Sequence, residues 1–122
     1  MEKLSHSLED YLEEIYIQVL KQGFAKVTEI SDSLKVRKAS VTSALNHLAQ
    51  KNLIFYEPYA VITMTDDGEK LAKKIFTKHK VLAQFFGDLL KLENSAEIAC
   101  AVEHLISDKN LEKIQKFISE QK

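Results

Sequence analysis

The sequence contains one cysteine, one proline, three glycines and no tryptophan in 122 residues. A lone cysteine excludes an internal disulfide, and a cytoplasmic location is the expectation. So little proline and glycine argues against a turn-rich sandwich or barrel and suits long helices. No apolar run approaches the roughly 20 residues that a membrane-spanning helix needs. The amino-terminal MEKLSHSLED lacks the basic start and apolar stretch of a secretory signal. A nucleophile motif, a phosphate-binding glycine loop and the His-Glu-x-x-His pattern of zinc proteases are all missing, so an enzyme is not expected.

What remains is an ordinary globular composition, 45% hydrophobic and 29% charged, with a formal net charge of -1. A chain of this size buries enough surface to fold without a disulfide staple. Leu8, Leu12, Ile15, Tyr16 and Leu20 recur at helical spacing in SLEDYLEEIYIQVLKQG and predict a first helix. Ser7 and Asp10 read as its capping box, and Gly23 as its stop. Thr28 is expected to cap a short helix from Glu29 to about Leu34, with a second from about Ala39 to Gln50 across a tight turn. Val41, Leu45 and Leu48 mark the buried face of that second helix. The two apolar runs of LIFYEPYAVITMT flank Glu57-Pro58-Tyr59-Ala60, a hairpin turn. Helix, helix, hairpin is the order of a winged helix-turn-helix. Thr65 should cap a helix running to about Leu90. Asn94 with Glu97 should open another, to about Ile106. Ser107 and Asp108 should start a last one. The predicted architecture is mainly α, with a winged helix over 1–70 and a helical unit over 71–122.

Charge is sorted along this chain. Residues 35–51 carry Lys35, Arg37, Lys38 and Lys51 and no acid, whereas Glu2, Glu9, Asp10, Glu13 and Glu14 crowd the first helix region. Clustered cations are what a polyanionic duplex requires, because each neutralised phosphate releases counterions. Arg37, Lys38, Ser40, Thr42, Ser43, Asn46 and His47 are the solvent-facing candidates of a recognition helix, with Thr28 on the helix before it. A merely solvated helix face would carry similar charges; the helix-turn-helix order and the wing favour double-stranded DNA.

Ligand-type residues gather elsewhere. Cys100, Glu103 and His104 stand at i, i+3 and i+4 and would project from one helix face. Asp10 and Glu13 repeat the i, i+3 relation on the first helix, and His79 lies inside another. Thiolate, carboxylate and imidazole together suit a divalent transition metal. Spacing alone leaves other readings open: a small core cysteine, a solvated Glu-His pair, a surface His79, and helix N-terminal acids at 10 and 13.

In its combined order the chain resembles the diphtheria-toxin-repressor and manganese-transport-regulator family of metal-dependent transcriptional repressors. The matching stretches are Glu9-Asp10-Tyr11-Leu12 with Ile15-Tyr16, Ser40-Val41-Thr42, Met64-Thr65-Asp66-Asp67-Gly68, Lys78-His79-Lys80, and Cys100-Ala101-Val102-Glu103-His104 with Ser107-Asp108. The resemblance implies a homodimer that binds operator DNA when loaded with Fe2+ or Mn2+ and controls metal-homeostasis genes. Zn2+ or Co2+ would act as substitutes. It implies metal ligands at Asp10, Glu13, His79, Cys100, Glu103 and His104, set between a DNA-binding and a dimerisation domain. Asp10 and Glu13 are similar to the manganese branch, and Cys100 to the iron branch. Ala83 and Ala96 stand where some members have a Glu and a His ligand, which removes two ligands of an ancillary site. A C-terminal SH3-like domain is not expected. The competing readings are a winged-helix regulator answering to a small molecule or protein partner without metal, a small metalloenzyme, and a protein-interaction module.

Overall fold

The computed structural model describes residues 4–58 and 60–121. Tyr59, within the expected hairpin turn, and the terminal Glu2 and Lys3 lie outside the described residues. The chain divides into two compact units between Lys73 and Lys74.

The first unit opens with α1 (His6–Gln22), whose N-cap is Ser5, not the expected Ser7. The Ser5 hydroxyl accepts from the Leu8 N–H at 3.2 Å. Gly23 ends the helix as expected, in the left-handed conformation at φ 90, donating to the Val19 carbonyl. A side chain at that φ is strained, which is why glycine serves there. The buried face differs from the predicted stripe: Tyr11, Leu12, Ile15 and Gln18 point inward, while Leu20 is 61% exposed. Reading hydrophobicity alone picked Leu20, because Gln18 is polar and hides its buried position.

Two further helices make the helix-turn-helix, α2 (Val27–Leu34) and α3 (Lys38–Gln50). The second helix begins earlier than expected: Lys26 is its N-cap, so Thr28 lies inside the first turn rather than capping it. Lys35 forms the turn in left-handed backbone at φ 57. The predicted Val41, Leu45 and Leu48 are all fully buried, with Ala44 beside them. Side chains stitch α1 to α2. Buried Gln18 donates to Glu14 at 2.9 Å and accepts from the Lys26 N–H at 3.3 Å, and Ser33 donates to the other Glu14 oxygen at 2.7 Å. Gln22 reaches Glu29 at 2.8 Å.

The expected hairpin is present as two short antiparallel strands, β1 (Ile54–Phe55) and β2 (Thr63–Met64), with Ile54 opposite Met64. A bridge between Ala25 and Ile62 ties the wing to the chain entering α2. Leu12, Ile15, Ile30, Leu45, Leu48 and Ile62 are fully buried and form the centre of this unit. Each such side chain contributes roughly 1.5–3 kcal/mol on leaving water. Thr65 caps α4 (Asp66–Ala83) as predicted, its hydroxyl accepting from the Gly68 N–H at 3.0 Å. A Cβ on Gly68 would sit 1.8 Å from the Leu53 carbonyl oxygen, so only glycine allows this approach.

The helical run predicted to Leu90 changes character on the way. It is α-helical to Ala83 and π-helical over Gln84–Leu89. Then α5 (Ser95–Glu103) and α6 (Asp108–Glu120) complete the second unit. Asn94 precedes α5 in left-handed backbone at φ 59 and makes no side-chain cap, contrary to the expected capping box. The helix also stops at Glu103 rather than near Ile106, because Val102 accepts from both Leu105 and Ile106 in a closing turn. Ser107 caps α6 as predicted, accepting from the Asn110 N–H at 3.1 Å. Leu82, Ala99 and Leu111 form the buried core of this unit, with Phe86, Val102 and Ile114 packed against it.

Candidate metal centre and DNA-binding face

His79 sits on α4, and Cys100 and Glu103 on α5, one helical turn apart. Packing of Leu82 against Ala99 brings these helix faces together, since each core residue lies one turn from a ligand-type residue. Cys100 Sγ is 3.6 Å from His79 Nδ1, and His79 Nδ1 is 3.5 Å from Glu103 Oε2. One ligand atom from each of the three lies within 4.8 Å of the others. Donors around one ion at bond lengths of about 2.0–2.3 Å stand roughly 3–3.7 Å apart. Two of the three separations fall in that range and the third is within 4.8 Å, so these residues could hold a divalent transition metal.

Glu103 is the centre of the cluster. It is only 3% exposed, and its other oxygen lies 3.9 Å from Nε2 of His104, the residue that caps α5. A carboxylate removed from water is costly unless cations or donors face it. Two imidazoles face this one. The thiol of Cys100 is exposed at the rim, which gives an ion a way in. Asp10 and Glu13, the other residues singled out in the sequence, lie on α1 of the N-terminal unit, Asp10 exposed and Glu13 half-buried.

On the N-terminal unit, Arg37, Lys38, Ser40, Ser43, Asn46 and His47 are exposed along α3, and Thr42 is half-buried, its hydroxyl donating to the Lys38 carbonyl at 3.1 Å. Arg37 is the N-cap of α3 and supplies no side-chain cap, and no acid occupies the first turn. The unsatisfied N–H groups and the positive end of the helix dipole are thus left beside Arg37 and Lys38, an arrangement that favours phosphate. A cleft of about 660 Å3 runs between this helix, the start of α2 and the wing. It is lined by Thr28, Lys38, Thr42 and Asn46, together with Lys26 and Tyr56, which the sequence reading missed. Lys26 lies outside the basic stretch, and Tyr56 looked like part of a strand; no sequence signal set either apart. A second groove is lined by Ser40, Ser43 and His47 of α3 and by Ser5, Ser7 and Tyr11 of the first helix.

Among the described residues, no helix is long and apolar enough to cross a membrane. A winged helix with a basic recognition helix, followed by a helical unit holding a Cys-Glu-His cluster, defines a metal-responsive DNA-binding regulator. Residues 3–62 match the profile of the iron dependent repressor N-terminal DNA binding domain, and residues 65–122 that of the iron dependent repressor metal binding and dimerisation domain. The chain belongs to the iron-dependent repressor family, and it is a metal-dependent transcriptional repressor rather than an enzyme. It is 37% identical over 94% of its length to an HTH-type transcriptional regulator of Methanocaldococcus jannaschii, covering 94% of that protein. It is 32% identical over 92% of its length to the HTH-type transcriptional regulator MntR of Lysinibacillus sphaericus, covering 81% of it. Among solved structures, the manganese regulator SloR superposes with a TM-score of 0.81 at 25% identity over 92% of this chain. The chain spans about half of that protein, 53%.

Proposed function

We propose that the protein is a cytoplasmic, homodimeric sensor of Fe2+ or Mn2+ that occupies operators of metal-homeostasis genes in its metal-loaded state. The observation that carries this reading is the convergence of His79 Nδ1, Cys100 Sγ and the buried Glu103 carboxylate at ligand spacing. The ligand set is Asp10, Glu13, His79, Cys100, Glu103 and His104. Residues 1–70 serve as the DNA-binding domain and 71–122 as the metal-binding and dimerisation domain.

A bound divalent cation supplies positive charge to this carboxylate-rich donor set. Glu103 would hold the ion from inside the protein, with His79 and His104, whose imidazoles lie near its two oxygens, as further ligands. Glu13 and Glu103 would be the carboxylates nearest the centre of that donor set. Mn2+ and Fe2+ stand low in the affinity order, so geometry and cellular supply select them. The Cys100 thiolate inclines the site toward Fe2+, with Zn2+ and Co2+ as substitutes. Arg37 and Lys38 hold phosphates at the start of α3, while Ser40, Thr42, Ser43, Asn46 and His47 face base edges or backbone, and Thr28 and Lys26 line the adjoining cleft. Two copies read a two-fold operator whose half-sites lie about one helical turn, ~34 Å, apart.

Titration of the duplex upstream of its own coding region, with and without Fe2+ or Mn2+, tests the reading. Coupling of the two sites predicts tighter binding with metal by about 5- to 150-fold. Equal affinity in both conditions would defeat it.

A further inference from the structure

Lys78, the neighbour of His79 on α4, has a place in the unit that none of the ligand assignments accounts for. Its ammonium donates to the Ile106 carbonyl at 2.8 Å and lies 3.6 Å from Asp108 Oδ1, with the side chain 18% exposed. Asp108 opens α6, and its second oxygen accepts from Lys74 at 2.7 Å. Two lysines one helical turn apart on α4 thus hold one carboxylate, but only Lys78 also holds the chain between α5 and α6. Ile106 comes three residues after Glu103 and two after His104. It belongs to the turn in which Val102 accepts from both Leu105 and Ile106. Fastening the Ile106 carbonyl to α4 therefore fixes the end of α5 that bears Glu103 and His104 against the helix that bears His79.

Resting on the proposed metal site, we infer that Lys78 is a positioning residue for it: the Lys78–Ile106 bond sets the gap between the α4 and α5 ligands and thereby the metal affinity. Groups that orient ligands without touching the ion alter metal affinity by about 10- to 100-fold when removed. A bond to the main chain is suited to this role, because it fixes the α5 terminus whatever side chains are present. The Lys74–Asp108 pair is a contrast within the same structure. Its two side chains are 56% and 57% exposed, and such pairs are worth little.

The test is titration of the full chain with Co2+, followed by thiolate-to-metal absorption from Cys100 and by the ligand-field bands that report coordination geometry. In Lys78→Met the aliphatic stem remains and the donor is lost. Co2+ affinity should fall at least about tenfold, with altered ligand-field bands and unchanged helical circular dichroism. Lys78→Arg, which keeps a donor, should recover most of the affinity. Lys74→Met, which removes the same charge from the same carboxylate, should bind like the wild type. A wild-type thiolate band together with unchanged Co2+ affinity in Lys78→Met would overturn the positioning role alone. Equal losses in the two Met variants would overturn it too, by assigning the effect to charge. Absence of the thiolate band in the wild type would overturn the metal-site reading and this inference with it.

Discussion

Cys100 Sγ lies 3.6 Å from His79 Nδ1, across 21 positions of sequence and between two helices. No local rule brings these atoms together; the packing of Leu82 against Ala99 does. The thiol is the softest donor of the cluster, so under the proposed metal-binding role it is the one that would discriminate among metals. Cys100→Ser should weaken Fe2+, Co2+ and Zn2+ binding by about tenfold or more, or 1.4 kcal/mol, while changing Mn2+ affinity much less. Competition titrations with a chelating indicator measure this; an equal loss for all four ions would remove the thiol from the donor set.

Arg37 stands at the uncapped start of α3, where phosphate is favoured. Arg37→Ala should lower DNA affinity and reduce the slope of log affinity against log salt by about 1, since one fewer counterion is released. Metal affinity measured without DNA should not change. Binding isotherms at several salt concentrations read both quantities, and an unaltered slope would place Arg37 outside the interface.

Gly68 lets α4 start against the Leu53 backbone. Gly68→Ala would drive a methyl group into the Leu53 carbonyl oxygen, 1.8 Å away. Backbone cannot retreat as a flexible side chain can, so the variant should lose about 1–3 kcal/mol of stability. Urea unfolding would register that as a lower midpoint, and a midpoint equal to the wild type's would contradict the close approach.

The Asp108 carboxyl is held below its ordinary value of 3.8, first by its hydrogen bond to Lys74, which outweighs the opposing effect of desolvation, and then by the charges of Lys74 and Lys78 and a hydrogen bond to Lys78. A depressed carboxyl stabilises the fold above its unfolded value and loses that contribution as pH falls through the folded one. The Asp108 and Lys74 side chains are largely exposed and screened by solvent, so the melting temperature of Asp108→Asn should lie only slightly below the wild type's at pH 7, and the gap should close as the pH drops below about 3.8. Parallel thermal scans at neutral and acid pH decide it; a gap that stays constant would show that the charge of Asp108 contributes nothing.

The helix-turn-helix, the wing and the order of six helices were legible because periodicity and turn chemistry are local. Val41, Leu45 and Leu48 announced the inner face of α3, and Thr65, Ser107 and Gly23 announced helix ends by chemistry that acts over one turn. Three other caps were misplaced. The cap of α1 is Ser5 rather than Ser7, Thr28 lies inside a helix, and Asn94 takes a left-handed backbone that carries no side-chain bond. At α1 a second serine stood two residues away, while α2 and α5 begin with no side-chain cap, so cap chemistry did not mark where they start. The i, i+3 and i+4 spacing of Cys100, Glu103 and His104 was visible in the sequence. The depth at which Glu103 is buried was not, because it arises from the helices packed around it. The bond from Lys78 to the Ile106 carbonyl was not legible either, because it spans 28 positions and is set by how the helices pack.

The chain of side chains from Gln18 through Glu14 to Ser33, with Gln22 and Glu29 beside it, bonds α1 to α2. The helix that bears Asp10 and Glu13 cannot slide along the next one without breaking these bonds. A tug on the acidic helix would be delivered whole to the reading head of the molecule, as a lever passes on motion and a hinge would absorb it. If the proposed ligands on α1 do bind metal, a rigid joint next to them would serve the signal, and the sequence builds that joint with glutamines and a serine rather than with hydrophobic bulk.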